Sequence, residues 1–127
     1  MVVLDSSFVI DVLRNYKPAL ELLEQIERHE TIFVTAITIM ELWEGALKDK
    51  MPEHEKKVVE DFLGATNILN FDMRAAKRTA EINHELSRTP IEPEDAMIAG
   101  ITFVQGETLV TRDQDFAMIP GLKVLKY

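Results

Sequence analysis

Val2-Val3-Leu4-Asp5-Ser6-Ser7-Phe8-Val9-Ile10-Asp11-Val12-Leu13 opens as a strand and becomes a helix at an acid. Val2 to Leu4 is a short apolar run with β-branched residues, and Ser6 and Ser7 are helix-starting residues. Phe8, Val9, Val12 and Leu13 then return at helical spacing as far as Asn15. A strand that feeds a helix is the first half of a β-α-β unit, and the rest of the chain repeats the pattern.

Pro18 suits the first turn of a second helix with Leu20, Leu22, Leu23 and Ile26 as its apolar stripe. Thr31 to Thr35 reads as a buried strand, and Thr38 as the cap of a helix carrying Ile39, Leu42, Trp43, Ala46 and Leu47. Pro52 opens a charged amphipathic helix with Val58, Val59, Phe62 and Leu63 that stops near Gly64. Ile68 to Phe71 reads as a third strand, and Asp72 begins a long helix closed before Pro90. Pro93 starts a helix to about Val104 that is apolar nearly all round, which places it against the sheet. Thr108 to Thr111 and Leu122 to Leu125 read as strands four and five, joined by a turn. Strands that alternate with helices predict a three-layer α/β/α sandwich with a mostly parallel five-stranded sheet.

Composition narrows the classes. At 127 residues, 46% hydrophobic and 28% charged, the chain has the size and make-up of one globular domain over 1–127. No apolar run approaches the ~20 residues needed to span a bilayer. The start of the chain lacks a basic region, and Asp5 interrupts its apolar run, so no signal peptide is expected. The absence of cysteine excludes a disulfide scaffold, a thiolate metal site and a Cys nucleophile, and is compatible with the expected cytoplasmic location. Fourteen Lys and Arg against 22 Asp and Glu give −8, which argues against unassisted binding to phosphate backbones. An acidic chain can still act on nucleic acid if its carboxylates converge on divalent cations.

In an open parallel sheet the ligand crevice lies beyond the C-terminal ends of the strands. Asp5 ends the first strand, Asp113 and Asp115 follow the fourth, and Asp95 lies in the first turn of the buried helix that feeds it. Glu41 lies in the helix after the second strand, among Ile37, Ile39, Met40, Leu42 and Trp43, where an acid needs a reason. Two carboxylates about 5 Å apart repel by roughly 3 kcal/mol at an effective dielectric of ~20. The six pairs made by Asp5, Glu41, Asp95 and Asp113 would then cost on the order of 20 kcal/mol, beyond the ~5–15 kcal/mol stability of a domain. Such a group must take up protons or hold hard cations, and all-oxygen ligands suit Mg²⁺ or Mn²⁺. His29, His54 and His84 are scattered and offer no competing site.

Val3-Leu4-Asp5-Ser6-Ser7, Glu41-Leu42-Trp43-Glu44-Gly45, Asp95-Ala96-Met97-Ile98-Ala99 and Thr111-Arg112-Asp113 together resemble the PIN-domain ribonucleases, and within them the VapC toxins of toxin–antitoxin pairs. The resemblance covers essentially the whole chain. It implies an endoribonuclease in which Asp5, Glu41, Asp95 and Asp113 form the acidic set, and one or two Mg²⁺ or Mn²⁺ ions drive hydrolysis of RNA phosphodiesters. Asp5, Asp95 and Asp113 are then the expected metal ligands, and Glu41 binds through water or orients the attacking water. Many VapC-like chains have Thr-Arg-Asn followed by an acid a few residues on, whereas here Asp115 closely follows Asp113; Asp113 is favoured as the ligand. The resemblance also implies a VapB-like antitoxin that presents Arg or Lys to the crevice, a homodimer, and no membrane association.

Ser6, Ser7 and Thr111 read first as capping and strand-ending residues, with hydrogen bonds to the acids as the alternative. Arg112 reads as a solvated loop residue or a phosphate contact. Lys48, Lys50, Lys56, Lys57, Arg74, Lys77 and Arg78 read mainly as solvated helix faces. Trp43, about 200° around its helix from Glu41, is expected to point away from the acids, into the core or a subunit contact. A phosphoacceptor receiver domain would need paired acids after strand one, where only Asp5 stands, and a haloacid-type phosphatase would need Asp-x-Asp where Asp5-Ser6-Ser7 occurs. A non-catalytic module with a degenerate metal pocket is the third alternative, and here the acidic set is complete.

Overall fold

The computed structural model describes residues 1–127. β1 (Val2–Leu4) leads through α1 (Ser6–Leu13) and α2 (Lys17–Glu27) to β2 (Ile32–Thr35). α3 (Ala36–Leu47) and α4 (Pro52–Leu63) lead to β3 (Asn67–Leu69), and α5 (Met73–Glu85) and α6 (Pro93–Gln105) to β4 (Thr108–Val110). A 3-10 helix, Gln114–Met118, stands where a turn was expected, before β5 (Lys123–Leu125). Pro18, Pro52 and Pro93 all sit in first turns, where a missing N–H costs nothing. Gly106 ends α6 in the left-handed region at φ 68°, which glycine adopts without strain.

The sheet runs β3-β2-β1-β4-β5, and every neighbouring pair is parallel. Alternation along β1 separates the two faces. Val2 and Leu4 pack with Phe8, Val9, Val12, Leu42 and Val59 on the α1–α4 side. Val3 packs with Ile82, Ile98, Ile101, Leu109 and Phe116 on the α5–α6 side. Each buried Phe, Leu or Ile contributes about 1.5–3 kcal/mol relative to exposure, so both layers are held by apolar burial. The result is the expected α/β three-layer arrangement, with the sheet fully rather than mostly parallel.

Two local readings need correction. Thr35, not Thr38, caps α3: its hydroxyl accepts the Thr38 N–H at 3.1 Å, which starts the helix directly at the end of β2. β3 is shorter than expected because Asp72 accepts the Ala75 N–H at 2.9 Å as the cap of α5, and the chain must leave the sheet by Asn70 to reach it. β2 is buried as expected, and so are β1 and β4, whereas the edge strands β3 and β5 have largely exposed side chains.

From β1 the chain moves outward to β2 and β3, then returns to the other side of β1 to make β4. The direction of winding therefore reverses between β1 and β4. At such a switch point the helices leave to opposite sides and a crevice opens at the strand ends. Asp5 follows β1 and Thr111 follows β4, and Asp5 N–H donates to Val110 O at 2.9 Å across that gap.

Candidate active site

Asp5 is the residue that turns β1 into α1, yet its side chain makes no hydrogen bond capping the helix. The carboxylate is instead held from the flanks. Thr111 Oγ1 donates to Asp5 Oδ2 at 2.7 Å and Ser7 Oγ donates to the same oxygen at 2.8 Å. Ser6 Oγ lies 3.5 Å from Oδ1 and 2.8 Å from Glu41 Oε1, linking the start of α1 to α3. The hydrogen-bonding alternative thus describes Ser6, Ser7 and Thr111, and the capping reading does not.

Burial pushes the Asp5 carboxyl above its usual range, and the Thr111 and Ser7 hydroxyls pull it partly back. Burial likewise raises Glu41, opposed by the Ser6 hydroxyl and reinforced by the charges of Asp5, Glu94 and Glu44. Asp95 is pushed to about 7, first by burial, then by the negative charges of Asp5, Asp113, Glu41 and Asp115. Its place in the first turn of α6 favours an anion by only ~0.3–1 kcal/mol, too little to offset a shift of that size.

Asp95, Asp113 and Asp115 bring one carboxylate oxygen each within 4.8 Å of one another. Asp113 sets this geometry: its Oδ1 accepts the Asp115 N–H at 2.9 Å and starts the 3-10 helix, while Thr111 Oγ1 accepts the Asp113 N–H at 3.0 Å. Asp5 and Glu41 stand outside the tight trio. They nevertheless act on it electrostatically, and Asp5 is the strongest charge felt by Asp95. The structure therefore gathers Asp5, Glu41, Asp95 and Asp113 around one crevice and adds Asp115 to them. A donor set of carboxylate oxygens without sulfur or imidazole fits a small hard cation such as Mg²⁺ or Mn²⁺.

A sequence profile for the PIN domain matches residues 2–122. The chain belongs to the PIN-domain family. Among its PIN-domain relatives, the tRNA(fMet)-specific endonuclease VapC of Shigella flexneri is 35% identical over 124 residues, covering 94% of this chain and 92% of that one. The enzyme of the same name from Salmonella typhimurium is 40% identical over 94 residues, 72% of this chain and 71% of that one. The crystal structure of DNA-bound VapBC from Salmonella typhimurium superposes with a TM-score of 0.90 at 33% identity, covering 98% of this chain and 96% of that one.

Other basic and aromatic residues take different places. Lys56, Lys57 and Arg78 pair with acids of their own helices, at 3.0, 3.9 and 3.4 Å respectively, and Arg78 also stacks 4.0 Å above the Phe103 ring. Trp43 is half-buried against the α1–α4 apolar cluster, with Lys56 Nζ 6.0 Å from its ring centre. Arg112 is more than a solvated loop residue: its Nε lies 3.3 Å from Asp11 Oδ2. Asp11 and Tyr127 complete this neighbourhood. Asp11 is buried in α1, and Tyr127 OH donates to its Oδ2 at 2.5 Å. The available signal was an acid inside the apolar run Val9-Ile10-Asp11-Val12-Leu13.

Proposed function

We propose that this chain is a divalent-metal-dependent endoribonuclease and the toxin of a VapBC-type pair, acting as a single PIN-like unit over 1–127. The approach of the Asp95, Asp113 and Asp115 carboxylates to within 4.8 Å, with Asp5 and Glu41 adding charge to the same crevice, carries the reading. Anions packed this closely are stable only when protonated or neutralised by a cation.

Asp5, Asp95 and Asp113 would hold the cation, with Asp115 beside them. A divalent ion bound there supplies Lewis acidity, lowering the pKa of a water and neutralising charge on the phosphoryl oxygens. The chain's own residues do the rest. Thr111 and Ser7 fix Asp5 by engaging Oδ2. Ser6 engages Glu41 Oε1, which leaves Oε2 to orient a water or take its proton. Burial raises the Glu41 pKa, which makes its carboxylate a stronger base. Loaded with cations, the crevice ceases to repel phosphate despite the net charge of −8.

The partner in this reading is a VapB-like antitoxin that lays a basic segment over the crevice, and the chain works as a cytoplasmic homodimer. The VapBC complex that this fold resembles supports such a partner. No helix is long and apolar enough to cross a membrane. The relatives named for tRNA(fMet) make tRNA the first substrate to try. Purified chain, free of its partner, should cleave tRNA internally with Mg²⁺ or Mn²⁺ and stop in excess chelator, and adding the neighbouring gene product should stop it again. Full activity in chelator would sink the metal mechanism, and undiminished cleavage in the complex would sink inhibition at the site.

A further inference from the structure

An open cavity of about 600 Å³ lies against Arg112, the residue between Thr111 and Asp113. Arg14, Tyr16, Lys17, Arg112, Asp11 and Tyr127 line it. Three cations against one acid make it a basic patch on a chain of net charge −8. Its volume falls within the roughly 300–1,000 Å³ typical of small-ligand sites.

The construction of the cavity is specific. Asn15 takes a left-handed φ of 60° between α1 and α2, turning the chain sharply so that Arg14 and Tyr16 stand on the rim. Asn tolerates that conformation better than other non-glycine residues. Tyr16 is 52% exposed, more than any other aromatic side chain among the large exposed hydrophobics. Arg112 Nε lies 3.3 Å from Asp11 Oδ2, and the Arg112 side chain is 54% exposed. Asp11 is itself tied down by Tyr127. Lys17 has only a loose 3.8 Å pairing with Glu21, both well exposed, so solvent screens it and Lys17 stays available.

Ser7 connects two residues of the cavity wall to the Asp5 carboxylate. Its carbonyl accepts from Tyr127 OH at 3.4 Å, its Oγ accepts the Arg112 N–H at 3.4 Å, and the same Oγ donates to Asp5 at 2.8 Å. One residue, Ser7, therefore separates the cavity wall from Asp5.

We propose that the cavity is a subsite for the RNA strand beside the cleaved bond, in which Arg14, Lys17 and Arg112 meet backbone phosphate and Tyr16 stacks on a base. Cations along a groove with one uncovered aromatic ring are the combination that holds single-stranded nucleic acid without reading its sequence. The inference rests on the endoribonuclease reading and deepens it.

The test uses the full chain with two readouts. Binding of a fluorescein-labelled 12-nucleotide single-stranded RNA is followed by anisotropy with Ca²⁺ filling the acidic crevice, and tRNA cleavage is followed with Mg²⁺. Arg14→Gln and Lys17→Gln should each weaken binding about three- to tenfold and make the slope of log affinity against log salt shallower by about 0.7. Tyr16→Ala should weaken it about tenfold with the slope unchanged. In cleavage the losses should appear in KM, with kcat within about twofold of the parent. Lys57→Gln, the same charge change on α4, should alter neither readout. All four positions are on the surface, and matching thermal melts establish that each variant is folded. If the parent cleaves RNA while the variants match it in affinity and KM, the subsite is wrong and the nuclease reading survives. If the parent binds with the expected losses yet cleaves nothing, the nuclease reading fails and the binding site stands. No measurable binding by the parent, or variants that lose only a protein partner, would also overturn the subsite.

Discussion

Thr111 and Asp5, 106 positions apart in the chain, are joined by a 2.7 Å hydrogen bond from hydroxyl to carboxylate. The bond closes the gap between β1 and β4, where the winding of the sheet reverses. Thr111 Oγ1 also accepts the Asp113 N–H, so one hydroxyl positions two of the acids.

Thr111→Val keeps the shape of the side chain and removes that hydroxyl. It should cost about 1–3 kcal/mol, because a buried carboxylate oxygen loses one of its two donors. Hydrogen bonds to charged groups are the stronger ones, so the loss should be larger at pH 8 than at pH 4. Urea unfolding at both values measures it. Thr111→Ser, which keeps the donor, should recover much of the loss; equal costs for Val and Ser would mean that packing, not the hydrogen bond, matters here.

In chelator, stability should fall as pH rises from about 4 to about 7. The folded state holds the Asp95 proton to about 7, while the unfolded chain releases it near 3.8. Between these values the folded state binds more protons, so raising the pH favours unfolding. For a half-buried group, partly screened by solvent, the effect should be about 2 kcal/mol. Asp95→Asn should flatten the profile, and an unchanged slope in that variant would remove Asp95 as its source.

Metal should reverse the ranking of the same two proteins. Without it, Asp95→Asn should be at least as stable as the parent, since burial and repulsion are relieved. With Mg²⁺ at 100 times its dissociation constant, the parent should gain about 2.7 kcal/mol and the variant much less. Thermal melts with and without Mg²⁺ read this directly, and cleavage by the variant should be nearly lost. An acid acting only on the helix dipole would cost about 0.3–1 kcal/mol equally in both conditions.

Asp113 and Asp115 should separate under the same substitution. Asp113 is partly buried and its Oδ1 organises the 3-10 helix, whereas Asp115 is exposed. Asp113→Asn should lower cleavage by about 100-fold or more, as expected for a group that holds the cation against developing charge. Asp115→Asn should cost less than about tenfold. The opposite order in cleavage rates would make Asp115 the ligand.

Gly100→Ala tests the support beneath the site. A Cβ there would run into Thr79 Oγ1 and stand 2.9 Å from Ala75 O, where α5 and α6 touch. Overpacking of this kind costs about 1–3 kcal/mol. Because α6 carries Asp95, cleavage should fall together with the melting temperature. Thr79→Ala in the same chain removes the side-chain clash and should restore part of both; a lone Gly100→Ala variant as stable as the parent would mean that the helices can separate at no cost.

Elements were legible in the sequence because periodicity, prolines and glycines act locally. Pro18, Pro52, Pro93 and Gly106 mark helix ends where the structure has them. The limits of β3 and the cap of α3 were less legible, since a hydrogen bond three residues away decides each. Asp5, Glu41, Asp95 and Asp113 stood out as acids at strand ends or in apolar surroundings, a property of their immediate neighbours.

By itself the sequence determined which residues are apolar and at what period, hence strands, helices and a parallel sheet covered on both faces. Only the tertiary structure decided which side chains meet. That Thr111 and Ser7 share one oxygen of Asp5, that Asp115 joins Asp95, and that Asp11 anchors Arg112 beside Tyr127 all depend on contacts between distant segments. The reason is physical: periodicity reports how a segment presents itself to an unspecified core. Burial, repulsion and hydrogen bonding depend on distances of a few ångströms, and those are set when β4 pairs with β1.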